Sequence, residues 1–244
     1  MDRHKEITET KEEEKEVMDV FVVPIGRAEN YPHHESLKAT ITELIHDRPI
    51  NESSQESADE LGIRNTFNSV DESLFTLHGI DPIKELEIAI FESWCTAKLD
   101  EFLNDTLQFV NPSGGIVTDC WVNEAVRDNA HQDWHMHVNS ILSATYYLNY
   151  DPSRHEPLTF ISPIWQASTS WSLDLDTIEF NKYNAKKYMP EYNEGDLLMW
   201  CSHLNHGFEG KRSNKGRISI SMNYMPKTVQ STLYSFDIVP GRLK

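Results

Sequence analysis

Apolar residues are spaced helically in the first half of the chain and gathered in short strand-like runs in the second. Residues 35–47 (ESLKATITELIHD) put Leu37, Ile41, Leu44 and Ile45 on one helical face. A longer helix is predicted over about residues 83–110, where Ile83, Leu86, Ile90, Trp94 and Ala97 recur near the 3.6-residue period. Pro112-Ser113-Gly114-Gly115 stops it. Between these helices, residues 49–68 are rich in Ser, Asp, Glu and Asn and read as an exposed loop. Ahead of them, DVFVVPI (19–25) predicts a short strand ended by Pro24 and Gly26. Residues 1–18 carry a KEEEKE block and read as an acidic tail or solvated helix.

After Gly115 the pattern changes. Strands are predicted in IVTDCWVNEA (116–125), ILSATYYLNY (141–150), LTFISPIW (158–165), DLLMWC (196–201), RISISMNYM (217–225) and STLYSFDIV (231–239). Turn residues separate them and no long helix intervenes, so the chain reads as α+β, helices first and then sheets in a sandwich or barrel. The polar stretch 168–192 is either a lid or an ordinary long loop.

Composition narrows the function. A chain of 244 residues is long enough for a full core. With 22 Lys+Arg against 39 Asp+Glu its formal net charge is −17, which opposes phosphate backbones and anionic lipid. Mean hydropathy is −0.54, no apolar run is long enough to span a bilayer, and no secretory leader is visible, so the expected setting is cytoplasmic. Three scattered cysteines, Cys95, Cys120 and Cys201, fit neither a disulfide framework nor a thiolate zinc site.

Of 11 histidines, two groups stand out: His131-Gln-Asp-Trp-His135-Met-His137 before one strand and His203-Leu-Asn-His206 after another. In extended chain His135 and His137 share a face, and two neutral imidazoles on one face suit Fe, Zn, Cu or Ni. His206 is the distant third donor. Strand alternation in RISISMN puts Arg217, Ser219, Ser221 and Asn223 on one side, with Ile218, Ile220 and Met222 on the other. A guanidinium facing inward needs an anion, and its fork suits a carboxylate; the alternative is a surface arginine paired with one of the many acids.

HMHVNSILSATYYL (135–148), EGDLLMW (194–200), HGFE (206–209) and RISISMN (217–223) resemble, in order and spacing, a 2-oxoglutarate/Fe(II)-dependent oxygenase family of phages and marine bacteria. DCWVN (119–123) is similar to its Trp-x-Asn strand and DVFVVPI to its opening strand. The resemblance implies a double-stranded β-helix (jelly-roll) core, 116–240, supported by helices in 35–110, all in one domain over 19–244. It implies Fe(II) held by His135, His137 and His206, and 2-oxoglutarate anchored by Arg217 with Ser219 beside it. Tyr147 is placed to hydrogen-bond the co-substrate, and Asn123 faces the same pocket. The second ligand stays open at this point, because His131-Gln-Asp133 also spells the superfamily's H-x-D and Asp133 could serve as ligand or as acceptor for an imidazole N–H. Ala144 and Val138 depart from the family's usual glycine and proline. The implied reaction consumes O2 and 2-oxoglutarate, releases succinate and CO2, and hydroxylates a small molecule or protein side chain; ascorbate is an optional reductant and a homodimer the implied oligomer. Trp134, Trp165, Trp171 and Trp200 are candidates for the cavity mouth or for the core. The rivals are a cupin-type metalloprotein, which would add a glutamate after the histidine pair, and a non-catalytic jelly-roll binding module.

Overall fold

The computed structural model describes residues 22–49, 51–69, 72–166, 176 and 178–239. Most of the predicted strands assemble into two antiparallel sheets. The larger holds β1 (Ile25–Ala28), β2 (Ile63–Thr66), β3 (Gly115–Ala125), β5 (Leu142–Asn149), β8 (Leu197–Cys201) and β10 (Ile218–Pro226), in the order β1-β8-β5-β10-β3-β2. The smaller holds β4 (Gln132–His135), β6 (Thr159–Ile161), β7 (Lys187–Tyr188) and β9 (His206–Phe208), in the order β4-β9-β6-β7. Among the described residues three α-helices precede β3: α1 (His34–His46), α2 (Glu52–Glu60) and α3 (Pro82–Glu101). A single turn of helix, α4 (Pro163–Gln166), follows β6.

The central strands of the larger sheet are buried on both faces, and alternation sorts their side chains into two environments. Ala144, Tyr146, Leu197, Met199, Ile220 and Met222 point to the helices, where Leu37 and Ile41 of α1 and Phe91 and Leu99 of α3 cover them. The opposite face meets the smaller sheet: Tyr147, Leu198 and Trp200 pack against Phe160 and Leu204 in a second apolar cluster. Between these apolar ends the inner face is polar, which is where a site can form.

Several expectations need correction. The first strand starts after Pro24 instead of ending there, because proline lacks the N–H a ladder needs; Val22 to Pro24 stand outside it, and residues 19–21, like the acidic tail, lie outside the described residues. Gly26 sits within that strand because a Cβ there would come 2.8 Å from the Phe102 ring. The expected loop 49–68 contains α2 and β2. α2 has no apolar stripe and is held by its cap instead, Asn51 accepting the Ser54 N–H at 2.8 Å, while the Ser54 hydroxyl donates to the Asn65 carbonyl of β2. The long helix ends at Glu101 in a wider turn, Phe102–Thr106, and Gln108 at φ 57 turns the chain away before Val110. Its buried face is Ile88, Phe91, Cys95 and Leu99, whereas Ile83, Leu86 and Ile90 are exposed at 77%, 62% and 44%. α3 therefore has two apolar stripes, and the one with the aromatic ring and the sulfur took the sheet. The strand expected at 158–165 is cut short by Pro163. The one expected at 231–239 is a hairpin instead, β11 (Thr228–Gln230) with β12 (Ser235–Asp237), because the Ser231 hydroxyl accepts the N–H groups of Leu233 and Tyr234 and turns the chain.

The two stripes of α3 give a direct check. Phe91→Ala is expected to cost about 3–5 kcal/mol of stability, and Leu86→Ala less than about 0.5 kcal/mol. Urea unfolding followed by circular dichroism measures both; equal losses would contradict the packing.

Candidate metal centre

Two strands and the segment after one of them bring the imidazoles together. His135 ends β4 and His206 opens β9, and the two residues are direct partners in the antiparallel ladder. His137 follows β4, its N–H donating to the Ser202 carbonyl at 3.0 Å. The ring centroids are 4.4 Å apart for His135 and His206, 5.0 Å for His137 and His206, and 5.2 Å for His135 and His137. One donor atom from each lies within 4.8 Å of the other two.

Each ring has its Nδ1–H committed. His135 donates to the Asp133 main-chain carbonyl at 2.7 Å, His206 to the Leu204 carbonyl at 2.8 Å, and His137 to the Asn223 side-chain oxygen at 2.5 Å. A neutral imidazole with its proton on Nδ1 carries a lone pair on Nε2. The Nε2 atoms of His135 and His137 are 3.3 Å apart, too close for either to point elsewhere. Burial, and secondarily the neighbouring His135, push the pKa of His206 down to about 3, so this ring is neutral at neutral pH. Burial also lowers that of His137. Three imidazole nitrogens around one point, each ring held by an acceptor behind it, fit a divalent transition metal.

Packing fixes the rings. Trp200, fully buried, meets His206 edge-on at 4.8 Å, and Phe160 closes the other side at 5.9 Å. Gly207 makes the β4–β9 approach feasible, since a Cβ there would lie 2.6 Å from the Gln132 carbonyl oxygen. Trp200 is thus core beneath the site and not mouth; Trp134 lies under the Lys187 ammonium, 4.6 Å from its centroid. Trp165 and Trp171 fall outside the described side chains, as do residues 168–175 and 177 of the 168–192 stretch.

Arg217, immediately before β10, is 2% exposed. Its guanidinium carbon sits 4.5 Å over the Phe208 ring and 5.4 Å from that of Tyr147. Among the described residues no carboxylate pairs with it, and its Nε–H has no acceptor. The Tyr147 hydroxyl is likewise buried without a partner, and burial pushes its pKa well up, so it remains an O–H donor. Ser219, 2% exposed, follows on the same face of β10. Phe208 stands two residues after His206 on β9, about 7 Å along the strand. The buried cation therefore stands against the strand that His206 opens. Asn123, also buried, donates to the Ser221 hydroxyl at 3.0 Å, which in turn bonds Thr145 at 3.1 Å, forming a polar rung between the two ends of the pocket.

Sequence reasoning missed Phe208, which carries the guanidinium, Trp121, whose ring is 5.6 Å from that of His137, and the bond from His137 to Asn223. Alternation would have found the last two: Trp121 shares its face with Asn123, and Asn223 shares its face with Arg217. The Asp133 side chain lies outside the donor cluster, and its main-chain carbonyl is what holds His135. A second group of candidate donors, His34, Glu35 and Glu194, has Glu194 already bonded to Lys38 at 2.7 Å and to His34 at 3.1 Å, and reads as an ion-pair network.

Residues 119–223, the stretch that carries all of these groups, match the family model described as "Putative 2OG-Fe(II) oxygenase". Over that stretch the chain resembles the 2OG-Fe(II) oxygenase family. The match supports an oxygenase that uses Fe(II) and 2-oxoglutarate. Solved structures with a similar fold include an oxidoreductase of the 2OG-Fe(II) oxygenase family from Burkholderia pseudomallei, with 12% identity, a TM-score of 0.51, and 83% of this chain and 84% of that one covered. HygX from Streptomyces hygroscopicus, with nickel, 2-oxoglutarate and hygromycin B bound, is 11% identical at a TM-score of 0.50, covering 84% and 83%. The epimerase SnoN, in complex with Fe3+, alpha ketoglutarate and nogalamycin RO, is 13% identical at 0.53, covering 84% and 80%. At these identities the likeness is one of fold. No curated protein sequence matches the chain. Among the described residues no helix is long and apolar enough to cross a membrane.

The geometry separates the two candidates for the second ligand. Asp133→Ala is expected to leave Co(II) affinity within about threefold of wild type, and His137→Ala to lower it by about tenfold or more. Calorimetric titration of the metal-free proteins reads both; the reverse order would make Asp133 the ligand.

Proposed function

We propose that His135, His137 and His206 hold Fe(II), and that Arg217, Ser219 and Tyr147 bind the far carboxylate of 2-oxoglutarate. The observation that carries this reading is a guanidinium buried without an acid partner beside three converging imidazoles. An unpaired buried charge costs several kcal/mol, and a bidentate carboxylate with a serine and a tyrosine hydroxyl at hand offsets that cost. Asn123 keeps the Ser221 hydroxyl engaged, so this polar rung lines the pocket without competing for the arginine. Bound Fe(II) supplies the redox chemistry that couples 2-oxoglutarate decarboxylation to hydroxylation of a substrate C–H bond, consuming O2 and releasing succinate and CO2.

The residues' own work is positional. Carbonyl acceptors hold the imidazoles, Phe208 and Tyr147 wall the guanidinium off from water, and His135 and His137, more exposed than His206, face the side from which substrate approaches. The facing antiparallel sheets support a double-stranded β-helix (jelly-roll) within one domain over 19–244. A small molecule or a protein side chain suits as substrate, because the net charge of −17 opposes nucleic acid. The same charge, with no helix of spanning length among the described residues, supports a cytoplasmic enzyme without membrane attachment. The exposed stripe of Ile83, Leu86 and Ile90 on α3 supports a homodimer through the N-terminal helices.

Anaerobic titration of the Fe(II) protein with 2-oxoglutarate tests the site. A weak visible charge-transfer band is expected in wild type, and Arg217→Met should raise the 2-oxoglutarate concentration needed for it by about a hundredfold, as losing a charge-assisted bidentate pair of about 3 kcal/mol requires. An unchanged titration in the variant, or no band in wild type, rejects the assignment.

A further inference from the structure

The converging donors are three imidazoles, with no carboxylate among them. An acid nonetheless stands behind one of them. Asp119, exposed on β3, pairs across the ladder with Asn223 of β10, and its Oδ2 accepts the Asn223 Nδ2–H at 3.3 Å and the Thr118 hydroxyl at 3.0 Å. The Asn223 Oδ1 in turn accepts from His137 Nδ1 at 2.5 Å.

A primary amide can turn over in place, exchanging its oxygen and nitrogen with little change of shape. Turned over, Asn223 would set its oxygen against the Asp119 carboxylate, two acceptors with no proton between them. Its NH2 would face His137 Nδ1, which would then have to be bare. The proton of that ring would move to Nε2, the atom that faces His135, and the ring could no longer donate a lone pair there. Ser143 does not decide the matter: its hydroxyl is 3.0 Å from Nδ1, 2.8 Å from Ser202 Oγ and 3.3 Å from Asn223 Oδ1, and it can rotate to serve either arrangement.

Resting on the metal reading above, we propose that Asp119 is a positioning residue: it locks the Asn223 amide in the one orientation that keeps the His137 proton on Nδ1 and its Nε2 open to the metal. The acid acts through two hydrogen bonds and touches neither metal nor co-substrate. It also brings a negative charge to a donor set that has none.

The metal-free protein carries the signature. Long-range 1H–15N spectra of imidazole-labelled protein should show His137 only in the Nδ1–H form in wild type. Asp119→Leu should admit the Nε2–H form and weaken Co(II) binding by about tenfold, with an unchanged thermal midpoint because the residue is exposed. Asp119→Asn should restore both readouts to near wild type, since its amide oxygen can still accept from Asn223. Asp119→Leu with an unaltered tautomer and affinity overturns the positioning role while leaving the metal assignment standing, and wild type in the Nε2–H form overturns the positioning role as well. His137→Ala binding Co(II) as tightly as wild type overturns the assignment itself, and the proposal with it.

Discussion

Everything at this site depends on where three imidazole protons sit. An N–H given to a carbonyl oxygen behind the ring leaves a lone pair in front of it, and the fold arranges this for His135, His137 and His206 at once. Two of the acceptors, the carbonyls of Asp133 and Leu204, belong to the same short segments as the rings they hold, so local chain geometry alone orients those rings. The third, Asn223, comes from a distant strand and ties His137 to the larger sheet. The rest of the architecture brings these segments into register: the β4–β9 ladder pairs His135 with His206, and Gly207 lets the two backbones approach.

The larger sheet divides its labour by alternation. One parity of β5 and β10 builds the core under α1 and α3, and the other parity supplies Tyr147, Thr145, Ser143, Arg217, Ser219, Ser221 and Asn223 to the pocket. A one-residue slip in either strand would exchange the two sets, burying serines against the helices and exposing leucine and methionine to the site. The apolar core thus specifies the register that places the arginine. The pocket in turn is graded, from a buried cation at the Arg217 end to the half-exposed imidazoles at the other. That gradient separates a place for a small anion from the side open to a larger substrate.

Much of this was legible before any coordinates. The inner-facing parity of RISISMN, the shared face of His135 and His137, and the helix carrying Leu37 and Ile41 all follow from period-two and period-3.6 spacing, and they lie as those periods require. What spacing does not encode is competition between equivalent surfaces. α3 offers two apolar stripes, and only the shape of the sheet beneath selects Phe91 over Leu86. Nor does it encode structure held by polar atoms: α2 has no apolar face at all, and its Asn51 cap and the Ser54–Asn65 bond are visible only once β2 is in place. The second ligand was ambiguous for a related reason. H-x-D and H-x-H overlap in residues 131–137, and the contact that aims His135 is a main-chain carbonyl, which has no letter in the sequence.

A crystal structure of the protein grown anaerobically with Fe(II) and 2-oxoglutarate tests the central claim most directly. The account predicts one iron bonded to Nε2 of His135, His137 and His206, with the distal carboxylate of 2-oxoglutarate seated on the Arg217 guanidinium. Iron bound through the Asp133 side chain or through Nδ1 of any of the three rings, or a guanidinium left without an anion while 2-oxoglutarate binds elsewhere, would contradict it.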